Sequence, residues 1–194
     1  MLGDSLLAAL EAAANALAAA GIRHALVGGA ALPAWGRIRA TGDADVLISA
    51  GLGSPEITAR LQEIVAALRG GGFAHLDRAD RRRIEDKTVL HFWFPLRPQG
   101  ISVRLDLIAG EGPEYDELLD RAVRRKINGF DIPVASCEDL ILLKLAAGRA
   151  IDLADVQELL KINGPNLDRI YLRSRAASRR LEKKLEEAWK AAGS

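Results

Sequence analysis

The sequence predicts a mixed α/β core over residues 1–135 and a helical C-terminal part over residues 136–194. Strand-like alternation of apolar and polar residues is interleaved with helix-like spacing as far as Val134. From Ser136 onward the alternation disappears, and apolar residues recur every three or four positions, as on one face of a helix. Because 49% of the 194 residues are hydrophobic, the chain can fill one sizeable core with a small helical appendage.

The core is predicted to open with a helix, which Asp4 caps and Gly21 ends. Ser54 and Pro55 open a longer helix, because serine caps helices and proline fits their first turn. The pair Asn128-Gly129 predicts a hairpin with a type I′ turn. The other segments follow from periodicity or charge: strands over 23–27, 46–48, 73–76, 88–94 and 101–108, helices over 30–35, 56–68 and 114–123, a charged connection over 78–86, and hairpin strands within 126–134.

Helices account for the C-terminal part. Ser136 and Asp139 resemble a capping box at the start of a helix that Gly148 ends. Asp152 is predicted to cap the next helix, which stops at the Asn-Gly-Pro that follows it. A final helix or helix pair covers residues 167–192, with leucines and a tryptophan on its apolar side.

Two carboxylates stand at the mouth of a predicted strand. Asp43 and Asp45 flank Ala44 and precede the apolar run 46–48. Alternate residues of a strand share a face, so both carboxylates point the same way. Like charges this close need a cation, a proton or an arginine to offset them. Because carboxylate oxygens are typical ligands of Mg²⁺, we predict a metal site here; the alternative is a turn acid and a cap.

A glycine pair and a third acid extend this site. Gly28 and Gly29 let the backbone approach a ligand and expose N–H groups that suit phosphate, although they also suit a plain tight turn. In the alternating segment 101–108, Asp106 lies on the same face as Arg104. On a strand beside the first, Asp106 would complete the metal site; the alternative is a surface acid paired with Arg104.

These residues resemble a known signature. A glycine pair, thirteen residues and then Asp-apolar-Asp-apolar resemble the polymerase-β-like nucleotidyltransferase superfamily. Residues 39–45, RATGDAD, are similar to the R-x-T-x-D-x-D pattern of its small bacterial members. Residues 138–159, EDLILLKLAAGRAIDLADVQEL, resemble AbiEii-like nucleotidyltransferases, a group that includes toxins of bacterial toxin–antitoxin pairs. The resemblance implies an α+β fold, with a mixed sheet flanked by helices and a helical C-terminal part.

The resemblance also implies an activity, the Mg²⁺-dependent transfer of a nucleoside monophosphate from a nucleoside triphosphate to a hydroxyl acceptor, with release of pyrophosphate. Two Mg²⁺ ions are expected at the carboxylates. The resemblance assigns Lys144, Arg39 and Thr41 to nucleotide binding. The alternatives are that the stem of Lys144 snorkels past core residues and that Arg39 and Thr41 only support the loop. Transferred to this sequence, the catalytic and metal-binding residues are Asp43, Asp45 and Asp106, and the nucleotide-binding residues are Gly28, Gly29, Arg39, Thr41 and Lys144.

The expected partners also come from the family. Because AbiEii-like relatives include toxins, we expect RNA or protein as the acceptor and an antitoxin as a partner. A formal charge of +4 over residues 167–194, against −3 for the residues before them, permits a polyanionic partner. The basic run Arg81 to Arg83 is either a solvated loop or a contact for such an acceptor. The alternatives are an antibiotic-modifying nucleotidyltransferase and a non-catalytic binding module of the same fold.

Other reactive residue types are assigned structural or surface roles. Ser136 has no histidine-containing motif beside it, and the single cysteine, Cys137, excludes an internal disulfide and fits a reducing cytoplasm. No segment resembles a signal peptide and no apolar run could span a bilayer, so we expect a cytoplasmic protein without membrane contact. Histidines without partner acids at ligand spacing, and acids at predicted helix starts, complete this group: His24, His75, His91, Asp152 and Asp155.

Overall fold

A mixed sheet of seven strands forms the centre of the computed structural model, which describes residues 3–49, 54–74, 81–84, 87–96, 100–127 and 129–193. This architecture, with helices around the sheet, confirms the predicted α+β fold. The strands are β1 (His24–Val27), β2 (Ala44–Ser49), β3 (Arg81–Ile84), β4 (Lys87–Leu96), β5 (Ile101–Gly110), β6 (Val123–Ile127) and β7 (Phe130–Val134).

The strand order places the two acid-bearing strands side by side. The order across the sheet is β3-β4-β5-β2-β1-β7-β6. Strand β2 pairs antiparallel with β1 and parallel with β5, and β1 pairs parallel with β7. The pairs β3–β4, β4–β5 and β6–β7 are antiparallel. Strands β2 and β5 therefore meet in the middle of the sheet, where the N-terminal end of β2 lies beside the middle of β5.

Seven α-helices and two short 3₁₀ helices surround the sheet within the described ranges. The 3₁₀ helices are Leu32–Trp35 and Gly164–Asn166. The last two α-helices confirm the predicted helix pair near the C-terminus. The α-helices are α1 (Asp4–Ala19), α2 (Ser54–Gly70), α3 (Pro113–Asp120), α4 (Cys137–Ala147), α5 (Ala150–Asn163), α6 (Arg169–Ser178) and α7 (Glu182–Ala192).

The two faces of the sheet are covered unequally, as alternate residues of β2 illustrate. Val46 and Ile48 belong to the larger core, which also takes in apolar residues of α1, α2, α4, α5 and α7. Leu47 points the other way, into a small cluster with Tyr115 of α3. Because Asp45 has the same parity as Leu47, its carboxylate lies on this thinly covered face. The thinner cover leaves room for a site beside the acids.

The predicted charged connection over residues 78–86 was wrong in part, because it contains strand β3. Residues Arg81–Ile84 pair antiparallel with β4 at the edge of the sheet. Arg82 and Arg83 are exposed, and Arg83 donates two hydrogen bonds to Glu111, at 3.0 and 2.9 Å. An edge strand tolerates such charge, which also discourages pairing with other chains. Strand β3 was therefore missed because its run of arginines shows no alternation of apolar and polar residues.

Two predicted helix caps were also wrong. Helix α1 begins at Asp4, with Gly3 as its N-cap, so Asp4 contributes only a favourable charge in the first turn. The N-cap of α5 is Arg149, and Asp152 lies inside the helix. Both helices still lie where the periodicity predicts them.

The structure also tests the predicted helix start at Ser136, the predicted hairpin and the predicted strand over residues 73–76. The predicted helix start at Ser136 is confirmed, since the Ser136 Oγ caps the helix by accepting a hydrogen bond from the Asp139 N–H at 3.1 Å and donates one to the Asp139 Oδ2 at 2.6 Å. The hairpin β6–β7 is confirmed, with Gly129 at φ +101°, whereas Asn128 lies outside the described residues. Ala74 forms one bridge with Trp93, and the rest of the predicted strand over 73–76 falls outside the described ranges. No helix within the described residues is long and apolar enough to cross a membrane.

Candidate active site

The glycine turn after β1 is shaped by its neighbours. Gly28 has φ +64°, a left-handed conformation that favours glycine. A Cβ atom on Gly28 would lie 2.0 Å from the Oδ2 of Asp45, closer than non-bonded atoms approach. A Cβ atom on Gly29 would lie 2.8 Å from the Oγ1 of Thr41 and 3.1 Å from a guanidinium nitrogen of Arg39. The glycine pair therefore brings the turn directly against the acid-bearing loop.

Two of the predicted acids occupy paired positions on neighbouring strands. Asp45 of β2 stands opposite Asp106 of β5 in the parallel register, and Asp43 precedes β2 by one residue on the same face. Burial raises the pKa of Asp45 to about 6, and the negative charges of Asp106 and Asp43 contribute to the rise. Lys144 and Arg104 act in the opposite direction. The structure thus gathers the three acids into one carboxylate cluster.

Arg104 lies between two members of the carboxylate cluster. It precedes Asp106 by two residues on β5, so both side chains share a face. Its Nη2 donates hydrogen bonds to the Oδ2 of Asp43 at 3.0 Å and to the Oδ2 of Asp106 at 3.1 Å. Its Nε lies 3.0 Å from the Oδ1 of Asp106, although the N–H does not point at that oxygen. The alternative pairing of Asp106 with Arg104 is therefore present, and Asp43 joins it.

His91 is the histidine that the sequence prediction assigned wrongly. It lies on β4 directly opposite Asp106 in the antiparallel register. Its Nδ1 is 2.7 Å from the Oδ1 of Asp106, which is a hydrogen bond to the third acid of the cluster. A cross-strand partner has no fixed spacing in the sequence, so the absence of a nearby acid was misleading.

The donor types of the carboxylate cluster suit a hard divalent cation. Carboxylate oxygens are preferred ligands of Mg²⁺, and repulsion among three acids favours a bound cation. In the described part of the chain, no three His, Cys, Asp or Glu side chains are arranged as a metal site. The guanidinium of Arg104 instead engages Asp43 and Asp106. The residue types therefore fit Mg²⁺, whereas in this structure two of the three carboxylates are paired with Arg104.

A second group of charges lies deeper, between α4 and α5. Lys144 is only 4% exposed, and its Nζ lies 2.9 Å from the Oδ2 of Asp155 and 3.4 Å from the Oδ1 of Asp152. The snorkelling alternative is wrong, because the ammonium group ends among buried acids rather than in solvent. We call Lys144, Asp152 and Asp155 the buried ion cluster.

The buried ion cluster also holds the loop that leads into β2. The fully buried carboxylate of Asp155 accepts hydrogen bonds from the Nε of Arg39, at 3.1 and 3.0 Å, and from the Nε of Arg37 at 3.4 Å. Thr41 donates a hydrogen bond to the backbone oxygen of Asp43 at 3.4 Å. Arg39 and Thr41 therefore do support the loop, as the simpler interpretation proposed, and any nucleotide contact stays a prediction.

Asp152 connects the buried ion cluster to the surface. The Nε of Arg149 donates to the Oδ2 of Asp152 at 2.6 Å, and its Nη2 donates to the Oδ1 at 3.2 Å. Burial alone would raise the pKa of Asp152, but hydrogen bonds and positive charge from Arg149 and Lys144 lower it overall. Because 73% of the Arg149 side chain is exposed, its remaining N–H groups face solvent.

A cavity of about 510 Å³ opens between the carboxylate cluster and the buried ion cluster. Gly28 and Asp45 form one wall, and Lys144, Arg149 and Asp152 form another. Lys87 of β4 also lines the cavity, and apolar side chains of the sheet and of α3 and α4 form most of the rest, among them Leu47, Ile108, Tyr115, Leu140 and Leu143. The cavity thus joins acids, cations, a glycine turn and an apolar surface.

Two other reactive residue types have structural roles here. Ser136 is buried as the N-cap of α4. Cys137 is buried beside it, and burial raises the pKa of its thiol to about 12, so the reactive thiolate is disfavoured.

Residues 9–191 match the profile of the family described as "Nucleotidyl transferase AbiEii toxin, Type IV TA system". The chain belongs to the AbiEii nucleotidyltransferase toxin family. The match covers both resemblances in the sequence, the glycine pair with its acids and the segment over residues 138–159. No curated protein matches the chain.

Solved structures support the fold of this AbiEii member. JHP933 from Helicobacter pylori is 18% identical with a TM-score of 0.56, and the match covers 99% of this chain and 82% of JHP933. A protein from Thermotoga maritima described as a candidate nucleotidyltransferase is 14% identical with a TM-score of 0.53, covering 82% of this chain and 95% of that one. At such identities, the likeness establishes the nucleotidyltransferase fold alone.

Proposed function

We propose that this AbiEii member transfers a nucleoside monophosphate from a nucleoside triphosphate to a hydroxyl acceptor and releases pyrophosphate. The observation that carries the proposal is the position of Asp45, which is paired in register with Asp106 and lines a cavity that Gly28 and Lys144 also line. Acids, a glycine turn and a buried cation are components that recur in phosphoryl transfer sites.

The nucleoside triphosphate is proposed to occupy the cavity. Backbone N–H groups near Gly28 would face its phosphates, and Lys144 and Arg149 would offset their negative charge. The apolar surface, including Leu47 and Tyr115, would contact the base and the sugar. Lys144 is already oriented by two acids, so its charge is in place before a nucleotide binds.

Asp43, Asp45 and Asp106 are proposed to hold Mg²⁺, with two ions expected. When bound, Mg²⁺ would neutralise charge on the phosphates and lower the pKa of an acceptor hydroxyl. The chain itself contributes position: the register of β2 and β5 fixes two of the acids, and His91 orients Asp106. Holding the reacting groups in line supplies much of the rate enhancement in such reactions.

RNA is the acceptor that the charges favour. The Nζ of Lys184 on α7 bonds the Leu145 oxygen at the end of α4 and would lie 3.2 Å from a Cβ on Gly148. It therefore stands beside the turn that carries Arg149 to the cavity. Residues 167–194, which include α6 and α7, carry a formal charge of +4, and this charge suits a phosphate backbone. An antitoxin is the proposed regulatory partner, as the family's description implies.

The test is transfer of label from each α-phosphate-labelled nucleoside triphosphate, with Mg²⁺, into total RNA and total protein of a bacterial lysate. We expect labelled RNA with the wild type, and a loss of at least about 100-fold in Asp45→Asn and Asp106→Asn. Asp116→Asn, which changes a surface acid paired with Arg23, is the matched control and should retain activity. Label in protein alone would replace the RNA proposal. No label with any nucleotide would overturn transfer to both.

A further inference from the structure

We infer that the guanidinium group of Arg104 is an internal counter-ion, which competes with a divalent cation for the oxygens of Asp43 and Asp106. The inference rests on the proposed function, because it takes these acids as cation ligands. It goes further in assigning Arg104 a role in controlling when the cation binds. Arg104 would keep the acids paired in the free protein and give them up on metal binding.

The contacts of Arg104 are those of a shared counter-ion. A single nitrogen, Nη2, donates to the Oδ2 of Asp43 and to the Oδ2 of Asp106, at 3.0 and 3.1 Å. These oxygens belong to residues on different segments, the loop before β2 and strand β5. A guanidinium group that bridges them neutralises the same repulsion that a metal ion would neutralise. A divalent ion on these oxygens would also repel the guanidinium at close range.

Arg104 can leave without disturbing the sheet. Its side chain is 38% exposed, and its backbone belongs to the long, paired strand β5. An arginine side chain has several rotatable bonds, so the guanidinium can turn toward solvent while the strand stays in register. The pair is therefore displaceable, in contrast to a pair enclosed by the core.

Asp106 keeps its orientation when Arg104 leaves. The Nδ1 of His91 holds the Oδ1 of Asp106 at 2.7 Å, and the oxygen that Arg104 Nη2 bridges is the Oδ2. Displacement of the guanidinium thus exposes the Oδ2 while the Oδ1 stays bonded. Hydrogen bonds of this kind to a ligand carboxylate orient it toward the metal. In the free protein, the Oδ2 of Asp106 is therefore the oxygen that would pass from Arg104 to the cation.

The first experiment measures Mn²⁺ binding to nucleotide-free protein by the electron paramagnetic resonance signal of free Mn²⁺. Arg104→Met should bind Mn²⁺ more tightly than the wild type, by on the order of tenfold, because the competing charge is gone. Arg104→Lys should fall between them, since it keeps the charge but not the planar N–H groups. Arg83→Met removes an arginine paired with Glu111 on the edge of the same sheet, and it should bind like the wild type.

A second measurement uses the wild type and does not depend on a variant that folds. Phenylglyoxal modifies accessible arginines, and peptide mapping by mass spectrometry reports each site separately. Mn²⁺ should accelerate modification of Arg104 severalfold and leave that of Arg83 unchanged. Protection of Arg104 by Mn²⁺, or no change, would contradict the competition.

The outcomes separate this inference from the proposed function. If the wild type binds Mn²⁺ and Arg104→Met binds it equally or more weakly, the inference fails and the metal-dependent function stands. If neither binds Mn²⁺ while circular dichroism shows both folded, the inference and the metal part of the proposed function fail together. Tighter binding by Arg104→Met with faster modification of wild-type Arg104 supports both.

Discussion

Two groups of charges meet at the same cavity, one through Asp45 and the other through Lys144 and Asp152, and they are built for different tasks. The carboxylate cluster sets three acids, Asp43, Asp45 and Asp106, against Arg104, and two of these four side chains, those of Asp43 and Arg104, are more than a third exposed. The buried ion cluster encloses Lys144 between two acids with less than 5% exposure. The first has surplus negative charge and access to solvent, so it can accept a cation. The second is enclosed, and Arg39 and Arg149 add positive charge beside its two acids, so it fixes the elements that carry it.

The largest loss of stability is expected when Asp155 of the buried ion cluster is replaced. In Asp155→Ala, Lys144 and Arg39 would lose a partner inside the protein, and breaking a buried pair costs about 3–5 kcal/mol. The free energy of unfolding, measured with urea, should fall by that amount. Glu158→Ala on the same helix removes an exposed pair with Lys161 and should change stability by less than about 0.5 kcal/mol. Equal effects of the two variants would erase the proposed distinction.

Gly28→Ala tests how tightly the turn is fitted against Asp45. The added Cβ would meet the Asp45 carboxylate at 2.0 Å in a left-handed backbone, so we expect a loss of about 2–4 kcal/mol. Gly21→Ala is the matched control, because Gly21 has φ +65° but no atom within 4 Å of the added carbon. This variant should lose only about 1 kcal/mol of stability, the cost of placing alanine in a left-handed backbone. Thermal unfolding of both variants measures the difference, and equal losses would show that contact with Asp45 is unimportant.

Asp45→Asn should change stability in the opposite direction from Asp155→Ala. At pH 8 the Asp45 carboxylate is charged although burial and the neighbouring acids disfavour that state. Removing the charge relieves this penalty, so stability should rise by on the order of 1–2 kcal/mol while transfer activity is lost. Urea unfolding at pH 8 without divalent cations is the measurement. A loss of stability would mean that Asp45 is held by favourable contacts, as Asp155 is.

His24 provides the smallest effect, at a buried group outside both clusters. Burial and the charge of Arg124 lower its pKa, against a hydrogen bond to the Ile22 oxygen, and its Nε2 has no partner among the described residues. An unfolded histidine takes up a proton near pH 6.5 while folded His24 stays neutral, so stability is lost as the pH falls below 6.5. Between pH 7.5 and 5.5 the wild type should lose up to about 1 kcal/mol more than His24→Gln. Identical pH slopes would contradict this assignment.

The sequence predicted those features that depend on residues close together along the chain. Apolar runs located β1 and β2, aromatic and β-branched residues located β4, and alternation located β5. The spacing of Asp43 and Asp45 placed these two acids on one face. Ser136 signalled a helix start because capping is a contact between residues three apart. The glycine pair was identifiable for the same reason, since the turn is local even though its contact with Asp45 is not.

Features that depend on packing between distant segments were missed. His91 and Asp106 meet across β4 and β5 through a register that the sequence does not state. Asp155 was interpreted as a residue of a helix start because its partners, Arg37 and Arg39, are more than 110 positions away. Their opposite charges were visible, but charged residues are common on every surface. Only the packing of α5 against the loop shows that these charges are buried together.

The position of the buried ion cluster along the chain has a consequence for synthesis. A nascent chain that has reached Val134 holds all the strands that the structure describes, including those with the three acids. It still lacks the cavity wall with Lys144, Arg149 and Asp152, and Asp155 has not yet anchored the loop before β2. The sheet is thus translated well before the binding site can close.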